Sequence, residues 1–133
     1  MSSVKQMEQQ TILIVDDQPL NIEILNEVLQ DSYRIVFATN GLDALELVES
    51  QKPDLLLLDV VMPGIDGYQV ASRLKADPVT QQIPIIFITS MSDKKYETTG
   101  LQMGAVDYII KPIDPDRVLD TVRRHLQDPP QPS

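Results

Sequence analysis

Asp16, Asp17, Asp59, Thr89 and Lys111 each stand just after an apolar run. Thr11-Ile12-Leu13-Ile14-Val15 precedes the acidic pair, Leu55-Leu56-Leu57-Leu58 precedes Asp59, Ile85-Ile86-Phe87-Ile88 precedes Thr89, and Val106-Asp107-Tyr108-Ile109-Ile110 precedes Lys111. A carboxylate that follows so much buried surface costs on the order of several kcal/mol if left charged and unpaired, so Asp59 needs a partner. If the three acids face one crevice they repel one another unless a cation sits among them. The chain has no cysteine and a single histidine, His125. An all-oxygen set favours a hard ion, and a shell completed by water and a phosphate oxygen suits Mg²⁺ better than Ca²⁺, with Mn²⁺ as a substitute. A carboxylate beside such an ion and a lysine can attack a phosphoryl group, because metal and ammonium take up charge on the equatorial oxygens. Asp59 would then carry an acyl phosphate, with a hydroxyl hydrogen bond from Thr89 and a charge-assisted one from Lys111.

Each residue alone has an ordinary reading. Asp16-Asp17 can cap a helix beside Pro19, and most lysines are solvated. The joint reading gains from the elements that must position them. The run of four leucines lacks alternation and reads as a short strand buried on both faces of a parallel sheet. Strand one is expected over Thr11–Val15, strand two over Tyr33–Ala38, strand three from Asp54, strand four from Ile83 and strand five from Val106. Between them, Pro19 suits a helix's first turn, Asn40 and Asp66 are candidate caps, and Pro53 forces the second helix to have stopped. Ser92 or Asp93 would open a fourth helix, expected to be the loosest because Thr98, Thr99 and Gly100 are poor formers. Val118, Leu119, Val122 and Leu126 mark a last amphipathic helix, with His125 as a solvated or helix-end residue. Strands alternating with helices describe a doubly wound α/β sheet of five parallel strands, whose ligand site lies beyond the strands' carboxyl ends.

At these residues the chain resembles the receiver domain of two-component response regulators, from about Thr11 to Leu126. The resemblance rests on Asp16-Asp17 after an apolar strand, Asp59 followed by Met62-Pro63-Gly64 and Asp66-Gly67, Thr89-Ser90, and Gly104-Ala105 leading to Lys111-Pro112. It implies the flavodoxin-like strand order 2-1-3-4-5 and a role for each position. Asp59 is the expected phosphoacceptor, Asp17 the more direct Mg²⁺ ligand, Asp16 a ligand acting largely through water, and the backbone carbonyl of Val61 completes the set. Thr89 and Lys111 are the expected relays, and Tyr108 matches an aromatic that turns inward when the threonine is drawn to the phosphate. Phosphorylation would reshape the face formed by helix four, strand five and helix five. The apolar side chains of Val61 and Met91 would make self-dephosphorylation slow. Two positions depart from the family's pattern: Ile113 follows Lys111-Pro112, and Thr121 stands where the winged-helix branch carries a dimer arginine.

Length and composition bound the remainder. The 133 residues fit one receiver over residues 11–127, with a polar leader over 1–10 and a proline-rich tail or start of a linker over 128–133. A net charge of −9 argues against direct nucleic-acid binding, and no apolar run reaches membrane-spanning length. The expected location is the cytoplasm. Expected partners are a sensor histidine kinase or histidine phosphotransfer protein upstream, and an output domain or downstream protein; a homodimer is compatible with the sequence. Two other readings compete. A small-substrate phosphotransferase with an aspartyl nucleophile lacks a second acid at Val61, and a receiver-like module that is never phosphorylated would have little use for the complete acidic set.

Overall fold

The computed structural model describes residues 9–90 and 94–126. Most of the expected leader, together with Met91, Ser92, Asp93 and the tail Asp128–Ser133, lies outside these residues. Ten elements alternate: β1 (Thr11–Val15), α1 (Pro19–Leu29), β2 (Arg34–Ala38), α2 (Gly41–Gln51), β3 (Leu55–Leu58), α3 (Gly67–Ala76), β4 (Ile85–Thr89), α4 (Lys94–Gln102), β5 (Asp107–Ile110) and α5 (Pro115–Leu126). All strand pairs are parallel and the order is β2-β1-β3-β4-β5. That is the doubly wound sheet expected from the sequence.

The unbroken apolar runs of β1, β3 and β4 follow from their position, because a central parallel strand has helices on both faces. Alternate residues of β3 divide between two cores. Leu56 and Leu58 pack with Val48, Val70, Leu74 and Phe87 under α2 and α3, whereas Leu55 and Leu57 pack with Ile22, Leu25, Val118 and Val122 under α1 and α5. On α5, Val118, Val122 and Leu126 recur every four residues on its buried stripe.

Local chemistry explains where elements begin. The Asn40 side chain accepts from the Asp43 amide at 2.8 Å and caps α2. Asp66 and Gln69 form a reciprocal capping box at the start of α3. Asp114 caps α5, accepting from the Asp116 amide at 3.1 Å. The third strand starts one residue later than expected, at Leu55. Asp54 ties it to β1 from outside the ladder, donating its amide to the Thr11 carbonyl while its carboxylate accepts from the Thr11 amide, both at 2.7 Å. The fourth strand starts at Ile85, two residues later than expected, since Pro84 has no N–H to give and contributes only its carbonyl, to Leu56 at 3.0 Å. His125 lies at the end of α5, with Nε2 3.2 Å from Asp107 Oδ2.

Candidate functional site

Four strand ends deliver the site to one end of the sheet. After β1, Asp16 faces inward and is 2 % exposed, while Asp17 is the more open of the pair. The Asp16 amide donates to the Ala38 carbonyl at 3.2 Å and the Asp59 amide to the Val15 carbonyl at 2.9 Å, so the ladders of β2 and β3 hold both backbones in place. After β3 the chain must turn sharply under the start of α3. Gly67 makes this fit: its amide donates to the Val60 carbonyl at 2.8 Å, and a side chain there would meet the Asp59 carbonyl oxygen. Gly64, with φ of +79°, supplies the left-handed residue of the same turn.

Asp16, Asp17 and Asp59 each bring a carboxylate oxygen within 4.8 Å of the others. Lys111 reaches over from the end of β5, its Nζ 2.7 Å from Asp16 Oδ2 and 3.0 Å from Asp59 Oδ2. The peptide between Lys111 and Pro112 is cis, and the Lys111 amide donates to the Thr89 carbonyl at 2.8 Å. The second oxygens of the acids find neutral donors. Asp16 Oδ1 accepts from the Gln18 amide at 2.9 Å and from Asn21 Nδ2 at 3.5 Å, and Asp59 Oδ1 accepts from the Val61 amide at 3.4 Å. Burial works to lower the proton affinity of the Lys111 ammonium, but the carboxylates of Asp16 and Asp59 outweigh it and hold it above the ordinary lysine value. Lys111 is thus a fixed cation.

The sequence placed Lys111 on a phosphate and a metal ion among the acids; in this structure the lysine bridges two of the acids. Thr89, wholly buried, closes β4 beside Ile110 of β5. The Val61 side chain is 56 % exposed two residues after Asp59. Tyr108 points inward at 3 % exposure and packs against Phe87, with ring centroids 6.1 Å apart.

Sequence reasoning missed Tyr68. Its hydroxyl and that of Tyr108 are hydrogen-bonded, and Tyr68 in turn donates to the Tyr96 carbonyl of α4 at 3.0 Å. Burial, and then the neighbouring Tyr68, push the Tyr108 phenol well above its ordinary range. Gly100 lets α4 approach this cluster, since a side chain there would press on the rings of Phe87 and Tyr108. Nothing in the spacing of Tyr68, Tyr96 and Tyr108 signals the relay, because its members lie on α3, α4 and β5.

The arrangement offers a buried nucleophilic carboxylate, two further acids able to hold a hard cation, and an ammonium within reach of an incoming anion. Its donor set and frame recur in known proteins. Residues 12–123 match the family described as the response regulator receiver domain. Over 126 residues, 95 % of the chain, it is 43 % identical to a protein of Vibrio cholerae named a probable cyclic di-GMP phosphodiesterase, and it spans only 29 % of that relative's length. Sporulation initiation phosphotransferase F of Bacillus subtilis is 36 % identical over 121 residues, covering 90 % of this chain and 96 % of the relative. Among solved structures, the signal receiver domain of a signal transduction histidine kinase from Syntrophus aciditrophicus superposes with a TM-score of 0.82 at 34 % identity, covering 93 % of this chain and 95 % of its own. The chain therefore belongs to the receiver domains of two-component response regulators.

Proposed function

We propose that Asp59 is the phosphoacceptor of this receiver and takes its phosphoryl group from a phosphohistidine of a sensor histidine kinase or histidine phosphotransfer protein. The observation that carries the reading is the Lys111 ammonium held between Asp16 and Asp59, 2.7 and 3.0 Å away. A carboxylate oxygen of Asp59 attacks phosphorus, the P–N bond to the imidazole breaks, and the imidazole nitrogen keeps the electron pair. Lys111 can pass its hydrogen bond from Asp59 to a phosphoryl oxygen while keeping Asp16. The donor set of Asp16, Asp17, Asp59 and the Val61 carbonyl fits Mg²⁺, with Mn²⁺ as a substitute, and the ion would supply charge neutralisation at the phosphoryl oxygens.

Thr89 would hydrogen-bond the new phosphate and draw its loop inward. The Tyr108–Tyr68–Tyr96 chain then links that movement to α4. Partners would read the face of α4, β5 and α5, on which Leu101, Val106 and Ile110 remain exposed. The receiver is residues 11–127 on this reading, working in the cytoplasm on an output domain or a separate protein, and catalysing only its own phosphorylation and dephosphorylation.

Intact mass after incubation with Mg²⁺ and a small acyl-phosphate donor tests this. One added phosphate is expected, absent in Asp59→Asn and absent with chelator. Phosphate on Asp59→Asn, or none on the parent chain, overturns the assignment.

A further inference from the structure

The outer edge of the sheet carries a surface that the phosphorylation chemistry does not use. β2 is an edge strand, and among the described residues no strand pairs with its outer side. Arg34 donates to the Gln10 carbonyl at 2.8 Å and Ala38 accepts from the Asp16 amide at 3.2 Å. In a parallel ladder alternate residues turn both backbone groups to the same neighbour, so Arg34, Val36 and Ala38 face β1, and the N–H and C=O of Ile35 and Phe37 face outward. Edges of this kind are commonly blunted by a lysine, a proline or a bulge. Here the edge carries Phe37, 57 % exposed.

Phe37 divides two grooves. One, of about 340 Å³, runs between β2 and α1 and is lined by Ile22, Ile35 and Phe37, with Glu23 and Asn26 at its rim. The other, of about 650 Å³, lies toward α2 and is bordered by Asp43 and Glu46. The flanking helices carry Glu23, Glu27, Asp43, Glu46 and Glu49, all exposed, and no basic residue. Arg34, the one basic residue from the start of β1 to the end of α2, is occupied at the strand's start, where it donates to Gln51 Oε1 at 2.6 Å, and Lys52 follows as the C-cap of α2.

We propose that the β2 edge is a docking site for an extended, basic segment of a partner protein. The segment adds as a sixth strand on the Ile35 and Phe37 backbone, seats apolar side chains in the groove beside Phe37 on the α1 face, and sets lysine or arginine side chains against Glu46 on the α2 face. Charge selects this occupant. A second copy of the chain would bring the same acidic helices to the same edge, and nucleic acid or an anionic membrane would be repelled by them. Alternation along the segment supplies both needs, since successive side chains of an added strand point to opposite faces.

The test uses the full chain, ¹⁵N-labelled, and a short peptide alternating lysine with valine and leucine. Binding at physiological salt is expected, with slowed amide exchange at Ile35 and Phe37. Affinity should fall about tenfold in Phe37→Glu and likewise in Glu46→Lys. Because both positions are exposed, unchanged thermal midpoints and unchanged phosphate uptake at Asp59 will show that the variants fold. The proposal is overturned by an absence of binding, by equal binding of a peptide with the same composition but blocked charges and apolar residues, by affinity indifferent to Phe37→Glu, or by exchange unchanged at Ile35 and Phe37. Self-association of the chain through this edge would also overturn it.

Discussion

Lys111 neutralises two buried carboxylates at once, and removing it leaves both facing each other across the crevice. A buried ion pair broken on one side costs about 3–5 kcal/mol; because the Lys111 side chain keeps 15 % of its exposure, Lys111→Met should cost less, about 2 kcal/mol in metal-free buffer. Urea unfolding measures this, and adding Asp16→Asn to the variant should restore part of the loss. At Val61 the exposed apolar side chain offers no hydrogen bond to a water approaching the Asp59 phosphate. Dephosphorylation should therefore be slow, and Val61→Asn should speed it about fivefold, the rate equivalent of one hydrogen bond of about 1 kcal/mol. Decay of the phosphorylated mass species over time is the readout. Tyr108 carries a pH signature. Its phenol is held above the ordinary value of 10.0, so the stability it lends is complete below that pH and drains away as pH rises beyond it toward the folded value. Tyr108→Phe should be about 1 kcal/mol less stable than the parent at neutral pH, and the gap should close above about pH 10, as followed by denaturant midpoints. The carboxylates, threonine and lysine were legible in the sequence because each ends an apolar run. Tyr68 was not, because a hydroxyl relay across three elements leaves no periodic mark.

At the scale of elements, the contact between α3 and the loop after β3 is the least forgiving. Gly67 faces backbone on its open side, the Asp59 carbonyl and Val60 Cα, and backbone cannot swing away as a side chain can. Gly67→Ala should cost at least about 2 kcal/mol and slow phosphate uptake, because relief requires moving either the helix or Asp59 itself. Thermal unfolding and the rate of phosphate incorporation would report the two effects. Gly100 is a milder case, since its neighbours are the rings of Phe87 and Tyr108. Strand and helix identities could be read directly from apolar runs, caps and prolines. The second to fifth strands start one or two residues later than expected, with local causes at three of them: Tyr33 still donates its amide to the Leu29 carbonyl at 3.0 Å, Asp54 bonds β1 through its side chain, and Pro84 offers only an acceptor. At the fifth, Val106 donates to the Ile85 carbonyl at 2.8 Å, just ahead of the assigned strand.

For the whole molecule, strand order came from a family likeness, because apolar patterning identifies strands without ordering them. The observed order places β1 between β2 and β3, at the heart of the N-terminal half. Surface charge was equally visible in composition, but its concentration on α1 and α2 emerges only when those helices are seen flanking one edge. The order has a further consequence for how the molecule comes apart. All three acids belong to the β2-β1-β3 half of the sheet, whereas the ammonium that balances them arrives from the far strand, β5. A partly unfolded form that kept the first half and released the last strand would retain the repulsion and lose its remedy. The penalty falls on half-structured forms alone, so the charge layout itself favours all-or-none unfolding of the domain.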